Sequence, residues 1–330
     1  MKVLVTGGAG FIGSHLVGRL LDMGREVIAL DNFDPYYDRA VKERNLSGLT
    51  GRPGFRLVEG DIRDAELLSR IASDTPLSAI VHLAARAGVR ASLEDPILCA
   101  EVNVSGTTQL LELARRRGIR RFVFASSSSV YGERSKVPFH EDEPFNHPQS
   151  PYAATKAAGE MLAWTYHQLF GIDMACLRFF TVYGPRQRPE MAIHLFTRLI
   201  DHGEEVPVFG DGTLRRDFTF IDDIVSGVVA ALDRSTGYKV YNLGNSNTVE
   251  VREVLKLISG ALGKQARIRN LPLQAGDVSI TYASIDRARA ELGYSPTTPI
   301  DRGIEKFVEW YRGGAAGKPK TPSTRISKQR

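Results

Sequence analysis

Tyr152 and Lys156 stand four positions apart, and on a helix that spacing puts a phenol and an ammonium on one face. A nearby cation lowers a phenol's pKa from about 10 and lets it take a proton near neutral pH. Ser127 lies just past the apolar run Arg121-Phe122-Val123-Phe124-Ala125, which reads as a strand. A hydroxyl there can share the proton of a substrate alcohol. The three groups describe oxidation of an alcohol, provided that a hydride acceptor lies beside them.

The first 31 residues supply a place for that acceptor. Lys2-Val3-Leu4-Val5-Thr6 is a short buried-strand pattern that runs into Gly7-Gly8-Ala9-Gly10-Phe11-Ile12-Gly13. An amphipathic segment follows over residues 14–23, then a second apolar run that ends at Asp31. Strand, glycine turn, helix, strand and acid make a βαβ unit suited to a dinucleotide. Gly7 and Gly10 permit the tight turn and close approach to a pyrophosphate, and Gly13 lets helix and strand pack closely. The helix N-terminus offers N–H groups and a positive dipole end to the phosphates. Asp31 is placed to accept from the adenosine ribose diol and would repel a 2′-phosphate, so NAD is expected over NADP.

The elements that must position these groups alternate regularly. Further strands are expected at residues 55–61, 78–85, 121–125 and 174–180, with helices at 39–46, 65–72, 97–117 and 152–170. Asp64 is a cap candidate for the second of these helices. This order predicts an α/β fold with a Rossmann-type, doubly wound parallel sheet. Ligands in such sheets bind beyond the carboxyl ends of the strands, where the glycine turn, Asp31, Asp61, Ala84 and Ser127 all fall. Past Gly184-Pro185 the elements shorten, which predicts a smaller α/β lobe for a second ligand. The expected division is residues 1–180 for the dinucleotide, 181–312 mainly for the substrate and partly interleaved with the first unit, and 313–330 as a disordered basic tail.

Bulk properties narrow the class. The chain has 330 residues and a net charge of +5. Five of its Lys and Arg residues fall in 313–330, where there is no acid; without them the 43 basic residues drop to 38, matching the 38 acidic ones. The body is therefore neutral, which argues against a nucleic-acid partner. No apolar run approaches the ~18 residues of a membrane span. Cys99 and Cys176 form no CxxC pair and fit buried thiols in a cytoplasmic protein. His82, at a strand end, reads as a packed histidine. The run His140-Glu141-Asp142-Glu143 sits in a Pro-rich loop and is not expected to converge on a metal.

Gly7 to Gly13, Asp31, Asp61, Ser126-Ser127-Ser128, Val130-Tyr131-Gly132 and Tyr152-x-x-x-Lys156 together resemble the extended short-chain dehydrogenase/reductase superfamily. Phe180-Thr181, Arg216-Asp217 and Gly276-Asp277 resemble its NAD-dependent nucleotide-sugar epimerase and dehydratase branch. Residues 31–38, Ala87-Gly88-Val89-Arg90, residues 181–186 and residues 188–192 are similar to UDP-glucuronate 4-epimerases. The resemblance covers residues 1 to about 312. It implies a chemistry in which Tyr152, helped by Lys156 and Ser127, removes the C4 hydroxyl proton while hydride passes to bound NAD. The 4-keto sugar then turns and takes the hydride back on its other face. Where 4,6-dehydratases carry an Asp-Glu pair after the catalytic hydroxyl, this chain has Ser128 and Ser129, which favours epimerisation over loss of water.

The same resemblance implies the contacts. NAD would meet Gly7, Gly10, Phe11, Ile12, Gly13, Asp31, Asn32, Asp61, Ile62, Leu83, Ala84, Ala85, Tyr152 and Lys156, with Asn103 as a further candidate. The UDP-sugar would meet Val89, Arg90, Ser127, Ser128, Thr181, Arg188, Met191, Phe209, Arg216 and Asp277. Among these, Arg216 is expected on the diphosphate, Phe209 on the uracil and Asp277 on the uridine ribose. Gln274 stands where related enzymes carry a second phosphate-binding arginine. Thr181 and Arg188 are expected to meet a C5 carboxylate, with Arg186 the lesser candidate. Helices 97–117 and 152–170 imply a homodimer joined by a four-helix bundle. The alternatives are a UDP-glucose or UDP-N-acetylglucosamine 4-epimerase, a UDP-glucuronate decarboxylase and a non-catalytic NAD sensor.

Overall fold

The computed structural model describes residues 1–74, 76–133, 136–144, 147–273 and 278–315. Its strands are β1 (Lys2–Thr6), β2 (Glu26–Asp31), β3 (Phe55–Glu59), β4 (Ala79–His82), β5 (Arg121–Ser127), β6 (Asp173–Phe179) and β7 (Thr181–Tyr183). After these come β8 (Glu205–Phe209), β9 (Arg215–Arg216), β10 (Phe218–Phe220), β11 (Tyr238–Leu243), β12 (Val249–Glu250) and β13 (Arg267–Leu271). The α-helices are α1 (Phe11–Asp22), α2 (Arg39–Leu46), α3 (Ala65–Asp74), α4 (Val89–Glu94), α5 (Pro96–Ala100) and α6 (Gly106–Arg117). The chain continues through α7 (Pro151–Phe170), α8 (Ala192–Asp201), α9 (Ile221–Arg234), α10 (Val251–Leu262), α11 (Asp286–Leu292) and α12 (Ile300–Trp310).

Seven strands form one parallel sheet in the order β11-β6-β5-β4-β1-β2-β3. The inner strands are buried on both faces, which explains why they read as continuous apolar runs, whereas the edge strand β3 is largely exposed. Val3, Val5, Val27 and Ala29 join the core with α1 and α9, whereas Leu4, Ile28 and Leu30 join Leu68, Leu110 and Ala163 of α3, α6 and α7. The strand order reverses between β1 and β4, so a crevice opens where β1, β4 and β5 end together.

Three details are not legible in the sequence pattern. The helix expected over 97–117 is a rod with a change of pitch: α5, a π-helical turn (Glu101–Ser105) and α6. A π turn adds a residue without altering composition, so periodicity does not reveal it. Residues 216–220 split into β9 and β10, which pair with β12 and β7 respectively. The central sheet takes its last strand, β11, from beyond residue 180. The cap expected at Asp64 is present, with Oδ1 accepting from the Leu67 N–H at 2.9 Å. After α12 the chain kinks at Gly314, whose φ of +103° is not helical, and the tail from 316 onward lies outside the described residues. Among the described residues, no helix is long and apolar enough to cross a membrane.

Candidate active site

The glycine turn is shaped by lack of side chains. A Cβ on Gly13 would lie 2.0 Å from the Gly7 carbonyl oxygen, and one on Gly7 would lie 2.9 Å from the Ala84 nitrogen. Gly7 also has φ +70°, a left-handed conformation that glycine adopts without a Cβ clash. Gly10 caps α1 without a side-chain hydrogen bond, so the first N–H groups of the helix point into the crevice unscreened. This bare cradle fits a pyrophosphate.

Asp31, at the end of β2, is buried and accepts from Ala9 N–H (3.1 Å), Phe33 N–H (2.9 Å) and Lys42 Nζ (2.9 Å). Lys42 of α2 escaped the sequence reading, because nothing in local spacing links it to Asp31. Asp61 is bound by both Asn32 Nδ2 (2.9 Å) and Arg63, whose guanidinium holds the Asp61 carboxyl down at about 2. Ala84 N–H donates to Thr6 Oγ1, which also meets His82 Nδ1 at 2.8 Å. His82 Nε2 meets Thr107, and burial pushes this histidine down to about 3. It is a neutral, packed residue, as the sequence suggested.

A cleft of about 410 Å³ runs from this cradle to Ser127, Tyr152 and Lys156. Apart from Asn103, its wall contains the NAD residues expected from the sequence: Gly7, Gly10, Phe11, Ile12, Gly13, Asp31, Asn32, Asp61, Ile62, Leu83, Ala84, Ala85, Tyr152 and Lys156. Ser127, Thr181, Arg188 and Met191 share it. Val89, Arg90, Ser128, Phe209 and Arg216 are not part of that wall. Arg90 instead lies 4.6 Å over the Phe209 ring, and Ser128 begins the 3₁₀ turn after β5. Arg216 Nη1 donates to the carbonyls of Arg215 (3.0 Å) and Ser279 (3.4 Å). Asp277 and Gln274 lie outside the described residues. Asn103 is absent from the wall too: from the π turn it bonds the Arg86 backbone and Thr155 Oγ1, tying the rod to α7.

Tyr152 and Lys156 occupy the first two turns of α7, which Ser150 caps by accepting from Ala153 N–H. Lys156 Nζ donates to the Ala125 carbonyl at 2.6 Å and lies 5.8 Å from the centre of the Tyr152 ring. Burial lowers Lys156 to about 8. Burial also dominates at Tyr152 and raises the phenol, while Ser127 and the Arg188 guanidinium act in the opposite direction. The Lys156 ammonium, which the sequence placed on the same helix face, lies over the same ring. Ser127 Oγ accepts from Ser129 N–H and Ser129 Oγ. Behind it Ser126 donates to Glu160 at 2.5 Å, and Glu160 is paired in two-pronged fashion with Arg178, all three buried.

The His140–Glu143 run diverges. Glu141 accepts from Asn242 N–H, Asp142 pairs with Arg287, and Glu143 accepts from His140 N–H. Sequence reasoning also missed Tyr36, Tyr37 and Arg86 in the cleft wall. Tyr36 and Tyr37 were visible only as an aromatic loop after Asp31.

The fold and the cleft define the class of NAD-dependent enzymes, with Ser127, Tyr152 and Lys156 on one stretch of the cleft wall. The chain matches the NAD dependent epimerase/dehydratase family over residues 3–244, and it belongs to that family. It is 44% identical to UDP-glucuronate 4-epimerase 3 of Arabidopsis thaliana, covering 98% of this chain and 79% of that protein. With the UDP-glucuronate 4-epimerase of Thermodesulfobacterium geofontis it shares 42% identity over 93% of this chain and 95% of that one. The crystal structure of UDP-glucuronic acid 4-epimerase from Bacillus cereus, in complex with UDP-glucuronic acid and NAD, superposes with a TM-score of 0.89 at 37% identity. That match covers 95% of this chain and 99% of the other.

Proposed function

We propose that this chain interconverts UDP-glucuronate and UDP-galacturonate by epimerisation at C4. The observation that carries this reading is the presence of Arg188 and Thr181 in the same cleft wall as Ser127, Tyr152 and Lys156. A guanidinium and a hydroxyl beside the catalytic groups suit a sugar whose C5 bears a carboxylate. The UDP-glucuronate 4-epimerases among the relatives support the same substrate.

The glycine cradle, Asp31 and Asp61 hold NAD, which when bound supplies a hydride acceptor and donor at C4. Tyr152 takes the C4 hydroxyl proton and later returns one, and Ser127 holds that oxygen through the exchange. Lys156, anchored on Ala125, keeps positive charge below the phenol. Arg188 and Thr181 hold the carboxylate. Arg90, Phe209, Arg216 and Asp277 receive the nucleotide end, with Val89, Ser128 and Met191 along the sugar. Residues 1–180 form the cofactor unit and 181–312 most of the sugar-nucleotide lobe. Leu93 and Ile97 on the α4–α5 stretch and Met161, Trp164 and Leu169 on α7 are exposed apolar side chains, which supports a homodimer built as a four-helix bundle. Free, buried Cys99 and Cys176 suit the cytoplasm.

The test is incubation of the purified protein with UDP-glucuronate, and separately with UDP-glucose, followed by NMR without added NAD. UDP-galacturonate is the expected product. A UDP-pentose would make the chain a decarboxylase, and turnover of the neutral sugar alone would refute the role of Arg188. Tyr152→Phe should remove turnover and leave NAD bound.

A further inference from the structure

Arg188 does not stand by itself in the cleft. Its Nε meets Glu190 Oε1 at 3.0 Å, and Glu190 is outside the cleft wall. The guanidinium carbon lies 5.7 Å from the centre of the Tyr36 ring, and the Arg86 guanidinium lies 4.6 Å from the same ring. Two guanidiniums thus lie over the Tyr36 ring, a placement that its negative π face favours. Asp34 fixes this arrangement twice, because its Oδ1 accepts from Tyr36 N–H at 2.9 Å and from Arg86 Nη1 at 2.7 Å. Asp34 N–H in turn donates to Asn32 Oδ1, and Asn32 Nδ2 reaches Asp61.

We propose that Tyr36 and Glu190 are specificity-determining positioning residues, which aim Arg188 at the substrate carboxylate. The proposal rests on the reading of Arg188 as the carboxylate partner. Glu190 occupies the Nε side of the guanidinium, which leaves the Nη1/Nη2 edge for a second carboxylate to approach end-on. Tyr36 limits rotation of the guanidinium plane. A flexible arginine would lose that freedom on binding the uronate; one already aimed loses less, so the restraint strengthens binding. A neutral sugar makes no use of Arg188, so it is indifferent to the frame. The restraint also begins on the loop that carries Asn32, so one segment serves both cofactor and carboxylate.

The experiment is binding of UDP-glucuronate and UDP-glucose to the NAD-containing Tyr152→Phe protein, measured by calorimetry without turnover. Glu190→Gln and Tyr36→Leu, each added to that background, should weaken UDP-glucuronate by roughly tenfold, the size of one charge-assisted contact. Binding of UDP-glucose should change less than twofold, and Tyr36→Phe, which keeps the ring, should behave like the parent. Equal loss for both sugars, or no loss for UDP-glucuronate, overturns the proposal. Arg188→Leu separates the two levels: if it leaves UDP-glucuronate binding intact, the carboxylate reading itself falls. If it weakens that binding while Glu190→Gln and Tyr36→Leu do not, only the positioning role falls.

Discussion

Gly13→Ala is a single-methyl perturbation whose consequence follows from the glycine cradle. The new Cβ would sit 2.0 Å from the Gly7 oxygen, 2.8 Å from the Gly7 carbonyl carbon and 2.9 Å from the Gly8 Cα. All three neighbours are backbone, so no side chain can swing aside. To restore a contact of 3.0 Å or more, the first turn of α1 must move by about 1 Å relative to the turn. That displacement takes two N–H groups out of reach of the cofactor pyrophosphate. Each hydrogen bond to a charged group contributes about 1.5–3 kcal/mol, so losing two weakens NAD binding by about 10²–10⁴-fold. Crowding itself costs a further 1–3 kcal/mol or so of stability, against about 1 kcal/mol gained from replacing a helical glycine. The assay is the NAD-to-protein ratio after purification, with activity measured before and after adding NAD. Gly260→Ala in α10 is the control: it is exposed with nothing within 4 Å of the new methyl, and it should stabilise slightly with NAD content unchanged. A Gly13→Ala protein that purifies with as much NAD as the parent would refute the reasoning.

Two further predictions concern pH. Ser127 lowers the Tyr152 pKa more than Arg188 does, so Ser127→Ala should move the acidic limb of the rate profile to higher pH, and further than Arg188→Leu. An unmoved limb in both variants would remove Tyr152 from the role of base. Lys156 titrates at about 8 in the folded chain against 10.5 ordinarily, so the unfolded chain binds more protons between those values and stability rises with pH there. Lys156→Met should therefore abolish turnover yet raise Tm at pH 7. Its advantage over the parent should shrink from pH 8 to 10.5, as followed by calorimetry, and a lower Tm at pH 7 would contradict the burial argument.

Much of the site was legible in the sequence because it is local. The glycine turn depends on which residues lack a Cβ within seven positions, and Tyr152 and Lys156 share a face because the helix repeats every 3.6 residues. The strand ends follow from apolar runs, and the parallel order follows from alternation with helices. The expected NAD residues other than Asn103 consequently fell on one cleft wall.

What the sequence could not fix are contacts between distant segments and changes of pitch. Lys42 on Asp31, Glu160 on Arg178 and Ser126, and Tyr36 under Arg86 and Arg188 each join elements whose separation along the chain carries no signal. The same holds for β11 closing the sheet from beyond residue 180, and for the π turn that aims Asn103 at Arg86. Local spacing therefore determined the cradle and the catalytic face. Only the docking of helices and loops buried Tyr152, which raises the phenol, and brought Ser127 of β5 and Arg188 of the loop after β7 to act against that rise.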